Sequence, residues 1–90
     1  MSEQDILIFE VSKSSFNSSV ILKSYNTPVF VEYMNILSEP CIKMADQLSS
    51  MAKEFADQFI FAKVDLDEQP ELRDEYKIEN APSLNSFKDG

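Results

Sequence analysis

The sequence contains no histidine, no tryptophan and only one cysteine, Cys41, among its 90 residues. A single thiol excludes a disulfide within the chain, and a chain that also lacks histidine has few ligands for zinc or haem. We therefore expect neither a metal site nor a cofactor. Glycine occurs once and proline four times, so the composition also differs from that of a disordered, low-complexity segment.

Positive charge is scarce as well: eight basic residues face sixteen acidic residues, for a formal net charge of −8. A chain this acidic is repelled by phosphate backbones and anionic membrane surfaces, so we expect neither nucleic acid nor a membrane as partner. The apolar runs are far shorter than the roughly 20 residues of a membrane span, and the first residues lack the positive charge of a signal peptide. The cytoplasm is the expected location.

The length of the chain suits a single domain, residues 1–90. Along it, segments with the hydrophobic pattern of strands alternate with segments that have the pattern of helices. Runs of β-branched and aromatic residues predict strands at 6–11, 29–34, 59–65 and 83–87. Apolar residues spaced three and four apart predict helices between them, the longest of which starts at Ser38 and Pro40. The order β-α-β-α-β-α-β predicts an α/β sheet with right-handed crossovers.

Five motifs follow one another between residues 31 and 90. They are Val31-Glu32-Tyr33-Met34, Leu37-Ser38-Glu39-Pro40-Cys41, Ala62-Lys63-Val64-Asp65-Leu66-Asp67, Tyr76-Lys77-Ile78 with Ala81-Pro82-Ser83, and Phe87-Lys88-Asp89-Gly90. In order and spacing they resemble the thioredoxin family, with no gap between residues 29 and 90. The resemblance implies a thioredoxin-like α/β sandwich that lacks the family's last strand and C-terminal helix. We therefore expect a truncated domain, either a fragment of a longer protein or a chain that pairs with another copy.

The motif Ser38-Glu39-Pro40-Cys41 departs from the family pattern and decides the expected chemistry. In the family a nucleophilic cysteine stands at the position of Ser38, and a tryptophan and a glycine stand at those of Leu37 and Glu39. Thiol–disulfide exchange needs an attacking thiolate and a resolving thiol, so we expect no dithiol oxidoreductase activity. This S-x-x-C site is similar to that in the thioredoxin-fold part of YbbN-type chaperone-like proteins, which implies holding unfolded clients.

Two further positions keep the residue types of the family. Cys41 matches the second, more shielded cysteine, and it is either a monothiol that forms mixed disulfides or a small buried residue of the helix. Glu32 matches the family's buried acid, whose pKa is raised by burial. It is either a base for Cys41 or a relic whose carboxyl reaches solvent or a hydrogen bond.

Peptide binding needs no sulfur, and the resemblance implies a surface for it. Pro82 matches the family's cis-proline, beside which the backbone of Ala81 would pair with an extended peptide. Leu37, Pro40 and Pro82 would add an apolar rim, with Glu39 just before Pro40 in the sequence. The alternative is that a cis bond before Pro82 only shapes the loop.

The strand near Leu84 and Phe87 would present an open sheet edge, through which a second copy could form a homodimer. The function that combines these features is a redox-inactive thioredoxin-like module, chaperone-like or an adaptor, that binds a protein or peptide client. The alternative is a monothiol thiol–disulfide oxidoreductase acting through Cys41. A third possibility is a truncated domain without a function of its own.

Overall fold

The computed structural model describes residues 8–35 and 38–90. Its strands are β1 (Ile8–Glu10), β2 (Val29–Met34), β3 (Ile60–Asp65) and β4 (Ser83–Phe87), and its α-helices are α1 (Glu39–Glu54) and α2 (Pro70–Glu75). Between β1 and β2 lie a π-helical turn, Asn17–Ile21, and a 3₁₀ turn, Lys23–Tyr25, which together form the irregular segment. The predicted alternation of strands and helical segments is confirmed, and the bounds of β2 and β4 are those predicted.

The described strands form one sheet in the order β1-β3-β2-β4. β1 and β2 run parallel to β3, whereas β4 runs antiparallel to β2. The irregular segment connects β1 to β2 and α1 connects β2 to β3, as crossovers between strands that run in the same direction, whereas α2 connects β3 to the oppositely directed β4. Because β2 lies inside the sheet and is covered on both faces, its sequence is nearly continuously apolar.

Two hydrophobic clusters occupy the two faces of the sheet. Side chains alternate along a strand, so Val29 and Val31 of β2 belong to one cluster and Phe30 belongs to the other. The larger cluster joins the sheet to the irregular segment and α2: Val11, Phe16, Val20, Val29, Val31, Tyr33, Ala62, Val64, Leu66, Leu72 and Ile78. The smaller cluster joins the sheet to α1: Leu48, Ala52 and Phe61. The helix that starts after the altered motif therefore packs on the second face.

α1 begins at the cap that the sequence predicts. Ser38 is the N-cap residue with extended backbone, and its carbonyl oxygen accepts a hydrogen bond from Ile42 N–H at 3.0 Å. Pro40 lies in the first turn, where its missing N–H leaves no helical hydrogen bond unmade. Cys41, Leu48 and Ala52 form the buried face of the helix. Within 8–35 and 38–90, no helix has the length and apolarity needed to cross a membrane.

The final residues of the chain bind the irregular segment. The Asp89 N–H donates a hydrogen bond to the Ser24 carbonyl oxygen at 2.9 Å, and the Gly90 N–H donates to Ser24 Oγ at 2.8 Å. Ser24 is buried, and its hydroxyl donates to the Ile21 carbonyl at 2.6 Å. The sequence Lys88-Asp89-Gly90 is typical of a hairpin turn. In the structure, the N–H groups of Asp89 and Gly90 bind Ser24, which lies far away in the sequence.

Candidate functional site

The altered motif lies where β2 ends and α1 begins. The Ser38 N–H donates a hydrogen bond to the Asn35 carbonyl oxygen at 3.1 Å, and the Ser38 side chain makes no capping hydrogen bond. A hydroxyl group therefore stands at the N-terminus of α1, where a helix would lower the pKa of a thiol. Glu39 and Pro40 are exposed. Leu37, predicted on the apolar rim, lies outside the described residues.

Cys41 occupies the first turn of α1 and faces the sheet. It is a free thiol and only 2% exposed. Its Sγ accepts a hydrogen bond from the Asn35 N–H at 3.3 Å, so the turn after β2 closes over the sulfur. Cys41 shares the buried face of α1 with Leu48. A large disulfide substrate would reach this sulfur only after the start of α1 moves away from the turn.

Glu32 is buried in the middle of β2 and is 1% exposed. Strand alternation places it on the same face as Phe30, against which α1 packs. Its neighbours in register are Lys63 on β3 and Leu84 on β4. Burial raises the pKa of the Glu32 carboxyl, and the charge of Lys63 lowers it by less. Both predicted roles of Glu32, a base for Cys41 and a relic whose carboxyl reaches solvent or a hydrogen bond, therefore stay predictions.

The Glu32 carboxyl is also incompletely paired: Oε2 has no hydrogen-bond partner among the described residues. Glu32 and Cys41 both lie in the layer between the sheet and α1. An acid in this layer holds its proton to a higher pH than an exposed acid does. A raised pKa fits both a Glu32 that exchanges a proton with Cys41 and a buried Glu32 that takes no part in any reaction.

The loop before β4 reaches the same end of the sheet. The Ala81–Pro82 peptide bond is cis, as the family resemblance implies, and both residues are half-buried. Ser83, the next residue, pairs with Tyr33 near the end of β2. The first turn of α1 follows the end of β2 in the sequence, and the loop at Ala81 and Pro82 lies near that end through the pairing of β4 with β2.

A family model described as thioredoxin matches residues 7–90. The chain belongs to the thioredoxin family. A thioredoxin of Acidithiobacillus ferridurans is 36% identical over 83 residues, which make up 92% of this chain and 75% of that protein. Thioredoxin 1 of Synechococcus elongatus is 32% identical over 80 residues, or 89% and 73% of the two chains. Chloroplastic thioredoxin X of Arabidopsis thaliana is 31% identical over 83 residues, 92% of this chain but only 44% of that protein.

Membership of the thioredoxin family agrees with the observed architecture. The mixed α/β fold, with a four-stranded sheet and helical crossovers, confirms the predicted thioredoxin-like fold. Among the described residues no strand or helix follows β4, which ends at Phe87. The fold thus corresponds to a thioredoxin fold without its final strand and helix.

Two residues of this thioredoxin-family site were not anticipated from the sequence. Lys63 neighbours Glu32 across the β2–β3 pairing, and a lone lysine within an otherwise apolar strand was the signal that could have identified it. Asn35 donates the hydrogen bond to Cys41. No sequence pattern predicts that contact, because it depends on the geometry of the turn between β2 and α1.

Proposed function

We propose that this chain is a redox-inactive thioredoxin-like module that binds a protein or peptide client. The observation that carries the proposal is the pair of residues at the start of α1: Ser38 offers a hydroxyl, and the single thiol, Cys41, is buried. A dithiol cycle needs two sulfurs, one of them accessible as a thiolate. The chain has one shielded sulfur, so binding is the activity that its site supports best.

The client would bind as an extended segment where the end of β2, the first turn of α1 and the Ala81–Pro82 loop meet. The backbone of Ala81, in the loop before β4, would pair with the client main chain, as in strand addition. Exposed apolar side chains beside them support this: Pro40 is exposed and Ile42 is 49% exposed. Glu39 and the net charge of −8 favour a client whose apolar residues are flanked by basic ones.

The redox half of the proposal is tested by insulin reduction with dithiothreitol. We expect no turnover by the natural chain and turnover by Ser38→Cys, which restores a second thiol. Ser50→Cys is the matched control, because it adds a thiol at an exposed position in the same helix. Turnover by the natural chain that is lost in Cys41→Ser would instead support the monothiol oxidoreductase and would overturn the proposal.

The binding half is tested with reduced, carboxymethylated lactalbumin as a permanently unfolded client. Pro40→Asp places a negative charge on the client surface, at a position in the first helical turn where an acidic side chain suits the helix dipole. We expect affinity to fall by at least about threefold, because a charge replaces apolar contact. Pro70→Asp is the matched control, since Pro70 is the exposed first residue of α2. An equal effect of the two variants would contradict this surface.

A homodimer through β4 is a further part of this proposal. β4 lies at one side of the described sheet, and Leu84 on it is 43% exposed. An unpaired strand edge with an exposed leucine favours pairing with a second copy. Light scattering tests this. The chain should have the mass of a dimer, and Leu84→Lys should yield a monomer. A monomeric natural chain contradicts the dimer without affecting client binding.

We also place this binding role in the cytoplasm. A lone cysteine without a disulfide is typical of proteins in a reducing compartment, and an acidic net charge keeps such a protein soluble. Fractionation of cells that produce the full-length protein tests this, and recovery with the membranes or in the secreted fraction would contradict it.

A further inference from the structure

A second candidate site lies on the face of the sheet opposite α1. A cavity of about 370 Å³ lies between the irregular segment and part of β1 and β3, beside the larger hydrophobic cluster that joins them. Its lining residues are Phe9, Val11, Ser19, Lys23, Ile60 and Ala62. Small-molecule sites typically measure about 300–1,000 Å³, so this cavity has room for one small ligand. None of its residues belongs to the motif at α1 or to the proposed client surface.

The chemistry of the cavity is divided between an apolar interior and a polar wall. Val11 and Ala62 are almost fully buried, whereas Phe9 is 52% exposed and Lys23 is exposed, so the cavity opens to solvent beside these two residues. Ser19 and Lys23 are the polar lining residues, and both come from the irregular segment. Lys23 forms no ion pair with any residue of 8–35 or 38–90. The wall therefore offers one positive charge and one hydroxyl beside four apolar side chains.

The irregular segment contains a π-helical turn at this cavity. The Leu22 N–H donates a hydrogen bond to the Asn17 carbonyl oxygen at 2.9 Å, which adds one residue to the turn relative to an α-helix. Ser19 lies within this turn, and Lys23 begins the 3₁₀ turn that follows. π-helical turns are rare and frequently occur at functional sites. Here the widened turn forms the polar wall of the cavity.

We propose that this cavity binds a small amphiphilic monocarboxylate, with a saturated or aryl tail. The carboxylate would pair with the Lys23 ammonium and accept a hydrogen bond from the Ser19 hydroxyl, since charge-assisted hydrogen bonds are the strong ones. The tail would enter between Phe9 and the buried Val11 and Ala62, where burial of apolar surface favours binding. A cationic amphiphile would be repelled by Lys23, and a fully polar anion would leave the apolar walls without a partner.

Decanoate is the probe, titrated into the full chain and followed by the amide resonances of a ¹⁵N-labelled sample. We expect shifts at Phe9, Val11 and Ala62, and weaker binding of 1-decanol than of decanoate. Lys23→Gln should weaken decanoate binding about threefold to fivefold, the range of a partly exposed ion pair. Lys43→Gln is the matched control, because Lys43 is an exposed lysine on α1, across the sheet. It should leave the affinity unchanged.

A second variant, Ser19→Leu, fills the cavity without removing the charge of Lys23. It should abolish decanoate binding while thermal melting shows that the protein remains folded. The proposal is overturned if the natural chain does not bind decanoate at millimolar concentration, or if the shifts cluster around Phe30 and Phe61 on the other face. Equal affinity of the natural chain and Lys23→Gln would overturn the role of the carboxylate.

Discussion

The Asn35 N–H donates a hydrogen bond to the sulfur of Cys41 at 3.3 Å, across the turn that joins β2 to α1. The thiol is therefore held by the backbone of the residue that follows β2, and the side chain is 2% exposed. Ser38, in the same turn, has no comparable constraint on its hydroxyl. The sulfur that remains in this thioredoxin-family site is shielded, and the position that would face a substrate carries no sulfur.

Cys41 should react slowly with iodoacetamide in the folded protein. Reaction requires the start of α1 to open, so the rate should follow local opening and not the reactivity of a free thiol. Mass spectrometry of timed samples gives the rate, and the same chain in guanidinium chloride gives the reference for an accessible thiol. Ser50→Cys combined with Cys41→Ala supplies an exposed thiol in the folded state. Equal native rates for the two thiols would contradict the shielding.

Glu32→Gln should stabilise the protein at neutral pH. Burial raises the pKa of the Glu32 carboxyl, so the folded protein keeps this proton when the unfolded chain has released it. The contribution of the Glu32 carboxyl to the free energy of unfolding is therefore fully present below its pKa in the unfolded chain. This contribution is lost as pH rises through its pKa in the folded protein. We expect the variant to gain on the order of 1 kcal/mol in unfolding free energy at pH 7, since the carboxylate is buried and incompletely paired.

Urea unfolding at pH 4 and pH 7 measures this gain. The advantage of Glu32→Gln should largely disappear at pH 4, below the ordinary glutamate pKa of 4.5, where the natural side chain is mostly protonated in the unfolded chain as well. Glu39→Gln is the control, because Glu39 is exposed at the start of α1. A gain of the same size at both pH values would show that ionisation of Glu32 is not its cause.

Tyr33 and Asn85 should be coupled energetically across β2 and β4. The Asn85 Nδ2 donates to the Tyr33 hydroxyl at 3.3 Å, and Tyr33 is fully buried. Burial raises the pKa of Tyr33 to about 12, and the hydrogen bond from Asn85 lowers it by less. A double-mutant cycle with Tyr33→Phe and Asn85→Ala should give a coupling free energy of roughly 0.5–1.5 kcal/mol. The cycle repeated with Tyr25→Phe, at an exposed tyrosine, should give none.

Ser24→Ala should destabilise the protein by roughly 1–2 kcal/mol, because two hydrogen bonds of a buried hydroxyl are lost. The loss should also release Gly90, whose N–H donates to this hydroxyl. Hydrogen exchange of the Gly90 amide should therefore accelerate more than that of amides in β2. Ser50→Ala removes an exposed hydroxyl that donates within α1, and it should change neither quantity. Unchanged exchange at Gly90 in Ser24→Ala would contradict the docking of the last residues.

Local patterns were sufficient to predict most elements. The run at β2 and the shorter one at β4 predict strands with the observed bounds, and Ser38 with Pro40 marks the start of α1. The segment between β1 and β2 was predicted only as a helix. Its apolar spacing does not distinguish an α-helix from a π-helical turn followed by a 3₁₀ turn, because the spacing reports a helical face and not which carbonyl each N–H binds.

Exposure within α1 was harder to predict. Leu48, Met51 and Ala52 are spaced three and four apart, which predicts that they share one buried face of the helix, yet Met51 is 43% exposed. It lies at the margin of that face, beside the buried Leu48 and Ala52. Periodicity defines the direction in which a side chain points, but the width of the covered area depends on what packs against the helix.

The sequence alone determined the order of the elements and the chemical deficit of the site. Both follow from residue type and short-range spacing: strand and helix periods, and an alcohol where the family carries a thiol. Only the tertiary structure decided that Cys41 is closed off by Asn35, that Glu32 lies beside Lys63, and that an open cavity is lined by both β1 and the irregular segment. These contacts depend on the way in which segments far apart in the sequence pack together. A pattern of neighbouring residues does not determine that packing.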